Sequence, residues 1–310
     1  MFKNVFLILS ICILFLGYKQ SRKNNGILEH INNEETIVIN ANANSGTNDY
    51  LENYLALNGI DLKDIKRLDL MAIREEDKIY EIKLYDDYYN DNILLIIGGN
   101  NIIDILSDFN LENLEELRIS GRIISFSSIG DLRSLKKLYL EHLWQINDIS
   151  AISGLENLEY LMIIECKKLE NFSPIFDLIE LKYLYWENFG NENEPDLTHI
   201  GNLNKLEYFY LSPITQSNLN SLAGLEQLKE LELWRSNIED VSPLLKLPNL
   251  EKIHFGTDWV DIMPLLASNS IKYIQINNKS YDDFYHFLEN QKKLFEANGI
   301  SVRSFWESRE

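Results

Sequence analysis

Short apolar-x-apolar triplets recur along this chain at nearly constant spacing. Their first members lie 22, 21, 23, 23, 25, 22, 22 and 21 residues apart. The triplets are Leu95 and Ile97, Leu117 and Ile119, Leu138 and Leu140, Leu161 and Ile163, Leu184 and Trp186, Phe209 and Leu211, Leu231 and Leu233, Ile253 and Phe255, and Ile274 and Ile276. Each triplet predicts a short strand with both apolar side chains on one face, because side chains alternate along a strand. The constant period predicts stacked repeats.

A leucine pair three residues apart precedes most of these triplets, as in residues 111–119 (LENLEELRI) and 225–233 (LEQLKELEL). Several units add a second apolar segment, as in residues 148–155 (DISAISGL) and 240–247 (DVSPLLKL). This pattern resembles the leucine-rich repeat, in particular the 22-residue bacterial class found in internalins, over about nine units in residues 93–277. The resemblance implies an α/β fold. The chain would be a right-handed solenoid, capped at both ends, with a curved parallel sheet on its concave face and short 3₁₀ or extended turns on its convex face.

The turn after each strand usually carries an asparagine in this repeat, three residues after the second apolar strand position. Asn100 fits, and Cys166 occupies the same place, where cysteine is a known substitute. Arg122, Ser236 and Asp258 depart from the pattern. We therefore expect irregular turns and a buried, structural Cys166 thiol.

The segment 26–92 is predicted to be an N-terminal capping region, since a solenoid must cover its exposed end. Residues 35–41 (ETIVINA) have the composition of a strand, and residues 48–58 are predicted to be helical and closed by a glycine. Residues 66–70 (KRLDL) are a candidate degenerate first repeat, and residues 78–85 alternate as another strand.

Residues 278–310 are predicted to form a C-terminal helical cap. Ser280 can cap a helix, and four later residues fall on one face of it: Phe284, Leu288, Gln291 and Phe295. Asn298 and Gly299 provide a stop signal. We expect this mostly apolar stripe to dock onto the last repeat.

Residues 1–25 are predicted to be a signal peptide or an anchor in the membrane or on a lipid. An apolar run over residues 5–16 follows one lysine, and its length suits a signal-peptide core better than a membrane span. Cys12 follows Leu-Ser-Ile and so resembles the lipidated cysteine of a bacterial lipobox. Cleavage, lipidation and retention as an anchor all remain open. The bases Lys19, Arg22 and Lys23 just beyond the run oppose translocation.

The charge balance is strongly acidic, with a formal net charge of -19 and a pI near 4.7. An acidic surface repels a phosphate backbone, so nucleic acid is not an expected partner. A basic or mixed protein surface is a better match, and the only expected contact with a membrane is through the N-terminal segment.

No catalytic or metal motif stands out in the sequence. The five histidines have no metal-ligand spacing, and two cysteines are too few for a cysteine-rich zinc site. There is no Gly-x-Ser-x-Gly elbow and no phosphate-binding glycine loop. We therefore expect no enzyme activity and no cofactor. A hydrolase would need a catalytic domain, and no segment outside the repeats is large enough to be convincing.

The concave face is the most informative surface of the predicted solenoid. It is formed by the strand residues between and beside the apolar pairs. The predicted ligand-binding residues are Tyr139, Tyr160, Met162, Tyr183, Tyr185, Glu187, Tyr208, Tyr210, Glu232 and Trp234. Glu141 and Glu230 border them. Tyrosine and tryptophan dominate protein interfaces, which favours a binding face. The alternative is that tyrosine simply suits an exposed strand in a chain with 16 tyrosines.

The function expected from the sequence is non-catalytic protein binding by an exported or envelope-anchored protein. The internalin resemblance implies adhesion or surface recognition. An intracellular or membrane-tethered scaffold or regulatory subunit is the alternative.

Overall fold

The computed structural model describes residues 36–40, 67–74, 79–85, 93–98, 111–121, 127–188, 195–235, 238–256, 260–277 and 291–304. The predicted helix at 48–58, the apolar run at 5–16 and Cys12 lie outside these ranges. Asn100 and the first part of the predicted C-terminal helix, with Ser280, Phe284 and Leu288, lie outside them as well. The strands are β1 (Thr36–Asn40), β2 (Arg67–Arg74), β3 (Ile79–Tyr85), β4 (Ile93–Gly98), β5 (Glu116–Ser120), β6 (Lys137–Glu141), β7 (Tyr160–Ile164), β8 (Tyr183–Glu187), β9 (Tyr208–Ser212), β10 (Glu230–Trp234), β11 (Lys252–Gly256), β12 (Tyr273–Ile276) and β13 (Ser301–Ser304).

The thirteen strands of the described ranges belong to one open sheet, in which β5 to β13 follow one another in chain order. These strands are parallel, and their register aligns the apolar triplets, so that Leu117 pairs with Leu138 and Leu231 with Ile253. The predicted stack of short parallel strands is confirmed. The chain is a curved solenoid in which each strand position forms a row across the sheet.

The N-terminal strands are arranged differently from our expectation. We expected the strand at 93–98 to begin the parallel series, and this is wrong: β4 pairs antiparallel with β3. The neighbour of β5 is β2, which pairs with it in parallel and aligns Leu68 with Leu117. Residues 75–78 and 86–92 connect β2, β3 and β4, and such short connections join antiparallel neighbours, because a parallel crossover needs a dozen or more residues.

The core lies between the sheet and the convex turns, where the strand residues Leu117, Leu161, Leu184 and Leu231 are fully buried. As predicted, short 3₁₀ helices occupy the convex side: Ser127–Asp131, Ser150–Gly154, Ser173–Asp177, Ile200–Asn202, Leu222–Gly224, Ser242–Lys246 and Met263–Ala267. One α-helix, α1 (Gln216–Ser221), precedes the fifth of them.

Several of the 3₁₀ helices are preceded by an Asp or Asn residue. Its side chain accepts a hydrogen bond from the Ser two residues later, which is the first residue of the helix. The Asp240 carboxylate accepts the Ser242 backbone N–H at 2.8 Å and the Ser242 hydroxyl at 2.8 Å. These hydrogen bonds lower the pKa of Asp240. Asp148 accepts the N–H of Ser150 in the same way. The local sequence therefore fixes where each convex turn starts.

A column of alternating charge runs along one edge of the sheet, at the residue that precedes each strand. Its members are Glu115, Lys136, Glu159, Lys182, Glu207, Lys229, Glu251 and Lys272. Ion pairs of 2.6–3.0 Å join them two by two. Exposed pairs of this kind contribute about 0.2–1 kcal/mol each. If a repeat packed against the next but one, residues of like charge would meet. The alternating column therefore also favours the observed packing of consecutive repeats.

The described turns after several strands contain a residue with a positive φ; Arg122, Ser236 and Asp258, on which the expectation of irregular turns rested, lie outside the described residues. His142, Glu165 and Arg235 each adopt a positive φ directly after a strand. The next residue in two of these turns is apolar and buried, namely Leu143 and Cys166. The Cys166 thiol lies 3.6 Å from the Ile164 carbonyl, and burial raises its pKa to about 12. Cys166 is the buried, unreactive thiol that we predicted.

The C-terminal part contains a strand that the sequence pattern did not predict. Residues 291–297 are helical, and Phe295 is fully buried. After Gly299, which has a φ of 79°, the chain forms β13 in parallel with β12. Val302 of β13 is buried as well. Among the helices of the described ranges, none is long and apolar enough to cross a membrane.

Candidate binding face on the concave sheet

The strand register brings the predicted site residues together on four neighbouring strands and their border. One row across the sheet contains Tyr160, Tyr183 and Tyr208, which we call the first row. A second row contains Tyr139, Met162, Tyr185 and Tyr210. Glu187 follows on β8, and Glu232 and Trp234 lie on β10. We refer to the two rows together as the tyrosine face.

The rings of the first row stack on one another. The ring centroids of Tyr160 and Tyr183 are 4.3 Å apart, and those of Tyr183 and Tyr208 are 4.1 Å apart, with interplanar angles of 7° and 1°. Parallel strands are about 4.8 Å apart, which is close to the distance between stacked rings. Identical positions of successive repeats therefore place tyrosines in contact.

The second row contains a similar stack. Tyr185 and Tyr210 have ring centroids 3.9 Å apart with an interplanar angle of 14°. The Tyr210 ring lies 6.3 Å from that of Trp234. At the opposite end the Arg118 guanidinium lies 3.8 Å above the Tyr139 ring, a cation–π contact.

The tyrosines are less exposed than their position on an outer sheet face suggests. Tyr139 and Tyr210 are only 8% and 7% exposed, and Glu187 is buried as well. The Tyr185 ring covers one face of Tyr210, whereas the Arg118 guanidinium and the tilted Tyr160 ring lie against Tyr139. The tyrosine face thus presents ring edges and hydroxyl groups, with its ring faces used in internal contacts.

Hydrogen bonds hold two of the carboxylates in place. The Tyr185 hydroxyl donates to Glu187 at 2.5 Å. Glu232 accepts from the Tyr208 hydroxyl at 2.7 Å and from the indole N–H of Trp234 at 3.1 Å. These hydrogen bonds fix the positions of both carboxylates beside the aromatic rings.

The hydroxyl groups are strongly biased towards their neutral form. Burial raises the pKa of Tyr185 and of Tyr208, and the hydrogen bonds to Glu187 and Glu232 raise it further. Burial also raises the pKa of Tyr210 from 10.0 to about 12. These groups act as hydrogen-bond donors at any physiological pH.

In an alkaline titration of the folded protein, Tyr185, Tyr208 and Tyr210 are expected to ionise at higher pH than tyrosines with an ordinary pKa. Because their folded-state pKa values lie above the unfolded value near 10, their contribution to stability is complete below pH 10 and is lost as pH rises through the raised values. Phenolate absorbance should therefore show a fraction that ionises above pH 10, together with loss of the far-ultraviolet circular dichroism signal. In urea all 16 tyrosines should titrate in one step. Complete ionisation near pH 10 in the folded protein would contradict this picture.

Two residues next to the tyrosine face were not among the predicted ligand-binding residues. Gly256 pairs with Trp234 in the register, and a Cβ at Gly256 would lie 2.2 Å from Cε3 of that indole. The absence of a side chain therefore lets Trp234 lie over β11. His254 faces Glu232 across β10 and β11. The sequence does contain a signal for both residues. Gly256 follows Trp234, and His254 follows Glu232, by 22 residues, which is the length of one repeat.

Comparisons with known proteins return distant likenesses. No known family profile matches the sequence. The chain is 28% identical over 192 residues to the disease resistance protein RPP4 of Arabidopsis thaliana, a match that covers 58% of this chain and 16% of that protein. It is 26% identical over 187 residues to the protein SUPPRESSOR OF npr1-1, CONSTITUTIVE 1 of the same plant, covering 57% and 12%. The chain thus spans a small part of these relatives.

Two solved structures of internalins from Listeria monocytogenes are also similar. The internalin InlF is 27% identical with a TM-score of 0.48, and the match covers 62% of this chain and 54% of that one. The internalin C2 is 23% identical with a TM-score of 0.43, covering 54% and 72%. At these scores the likeness transfers no function to this chain.

Proposed function

We propose, from the premise that this chain is a leucine-rich-repeat protein, that it binds a protein ligand on the concave face of its sheet without catalysing a reaction. The observation that carries the proposal is the stacked first row together with the stacked pair Tyr185 and Tyr210, bordered by hydrogen-bonded carboxylates. Rigid aromatic side chains beside fixed polar groups are what protein interfaces use for affinity and specificity.

The stacking supports binding because it orders the rings before a ligand arrives. Each aromatic pair contributes about 0.5–1.5 kcal/mol to holding this arrangement. Ordering a mobile side chain at an interface costs roughly 0.5–1.5 kcal/mol. A face that is already ordered avoids much of this cost.

The charge beside the tyrosine face favours a basic ligand segment. Glu230 and Glu232 lie on β10 and Glu187 lies on β8, whereas the basic residues Arg118 and Lys137 are at the other end, on β5 and β6. Complementary charge of this kind speeds association and selects among partners. The basic part of the ligand is therefore proposed to lie over β8 to β10.

We place this interaction at the cell envelope or outside the cell, in adhesion or surface recognition. The support is the apolar run at 5–16, which has the length of a signal-peptide core. The alternative is a scaffold or regulatory subunit that the same segment tethers to the cytoplasmic side.

Photo-crosslinking in intact producing cells tests both parts of the proposal. A benzoylphenylalanine in place of Tyr183 is expected to crosslink a protein ligand. The same residue in place of Ile179, which is 55% exposed in the connection before β8, is the matched control and should give no adduct. An impermeant protease added before lysis should digest the adduct if the repeats face outwards.

Equal crosslinking from positions 179 and 183 would contradict the concave face as the binding surface. Protection of a position-183 adduct until lysis would keep the binding face and overturn the external location, in favour of the tethered scaffold.

A further inference from the structure

Three potential metal ligands converge on the concave face beyond the tyrosine face. Glu230, Glu232 and His254 each place one ligand atom within 4.8 Å of the others. The Nε2 atom of His254 and the Oε1 atom of Glu230 are 3.3 Å apart. Two ligand atoms of a tetrahedral zinc ion are separated by about 3.3–3.5 Å, as follows from bond lengths near 2.0–2.1 Å. This pair already has the spacing of metal ligands.

The Nε2 atom of His254 is buried, and no described residue forms a hydrogen bond with it. A buried nitrogen that forms no hydrogen bond is costly and calls for an explanation, even with the Glu230 carboxylate 3.3 Å away as an ion-pair partner. A cation at this position would accept the nitrogen lone pair and balance the two carboxylates.

The surroundings orient Glu232 as outer groups orient a metal ligand. Its two oxygens accept hydrogen bonds from Tyr208 and Trp234, at 2.7 and 3.1 Å. Carboxylate oxygens have further lone pairs, so these bonds leave room for a cation. Outer hydrogen bonds of this kind fix ligand orientation in metal sites.

We propose that Glu230, Glu232 and His254 form a binding site for a first-row divalent cation, with zinc as the best match. An imidazole with carboxylates suits such ions better than it suits Mg²⁺ or Ca²⁺, which prefer oxygen ligands alone. Three protein ligands leave a fourth coordination position for water or a ligand group. This inference goes beyond the proposed protein binding and does not depend on it.

The competing explanation is a simple ion-pair cluster. The Lys252 ammonium lies 3.2 Å from Oε2 of Glu230 and would supply the positive charge instead. Its side chain is 53% exposed, so it can leave when a cation binds. If a cation binds here, removing Lys252 should tighten its binding, because the ammonium no longer competes for Glu230; if only an ion-pair cluster exists, the substitution should produce no cation binding.

Isothermal titration of the full chain with ZnCl₂, after dialysis against EDTA, tests the proposal. One equivalent should bind. His254→Ala should weaken binding by more than about 10-fold, the scale on which metal-site substitutions act. Lys252→Ala should tighten binding. His142→Ala is the matched control, because His142 is exposed after β6, and it should bind as the parent does.

The visible spectrum of bound Co²⁺ gives a second measurement. Its bands should be lost in His254→Ala and kept in His142→Ala, while far-ultraviolet circular dichroism confirms that both variants are folded. The proposal is overturned if no saturable binding occurs, if His254→Ala binds zinc like the parent, or if Mg²⁺ binds as tightly as Zn²⁺.

Discussion

Trp186→Ala is expected to lower the free energy of unfolding by about 3–5 kcal/mol, the usual cost of replacing a buried large aromatic side chain by alanine. Trp186 is 2% exposed and is among the largest fully buried side chains of the described residues. Its ring centroid lies 3.7 Å from that of Phe172, which leads into the convex 3₁₀ helix Ser173–Asp177. Truncation therefore leaves a cavity between the sheet and the convex turn.

Urea denaturation followed by far-ultraviolet circular dichroism measures this loss. Trp144→Ala is the matched control, because Trp144 is 42% exposed, and it should change stability by only about 0.5 kcal/mol. Repeats contact mainly their neighbours, so amide exchange should accelerate most in β7 to β9. Equal losses in the two variants would show that Trp186 does not anchor the core.

Tyr185→Ala combined with Tyr210→Ala is expected to weaken ligand binding by at least about 100-fold. This follows from hot-spot costs of about 2 kcal/mol or more for each residue, where 1.4 kcal/mol is a factor of ten. The two rings form one stack at 3.9 Å, and Tyr185 also holds Glu187 through its hydroxyl. The double variant removes the stack and frees the carboxylate together.

Binding is measured on the ligand identified by crosslinking, with the fold checked by circular dichroism. The control is Tyr185→Phe combined with Tyr210→Phe, which keeps the stacked rings and removes only the hydroxyl groups. It should bind more tightly than the alanine variant. A folded alanine variant that retains its ligand at full affinity would refute the binding role of the tyrosine face.

Much of the repeat region follows from local pattern. Pairs such as Leu231 and Leu233 predict the strand, the alternation and the inward face, and the structure confirms each of them. The segment at 93–98 shows the limit of such patterns. Its triplet resembles the others, yet its neighbours are β3 and β1, because the connection after β3 is too short for a parallel crossover and β2 already pairs with β5.

The candidate site, too, was only partly predictable from the sequence. The tyrosines were identified from their positions in the repeat, but their partial burial was not, since it depends on ring-to-ring contact between repeats. The positions of Glu230, Glu232 and His254 on the concave face follow from the repeat, since His254 lies one repeat after Glu232. The convergence of their ligand atoms was not predicted, because it depends on the side-chain conformations.

The sequence by itself determined the repeat, its strands, its convex turns and the residues of the concave face, because each depends on spacing within a single unit. The tertiary structure decided which N-terminal strand meets the repeats, how far the tyrosine rings are covered and which charged groups meet. These depend on contacts between residues about 22 positions or more apart, where the stacking distance of roughly 4.8 Å brings side chains together. No pattern within one repeat encodes those contacts.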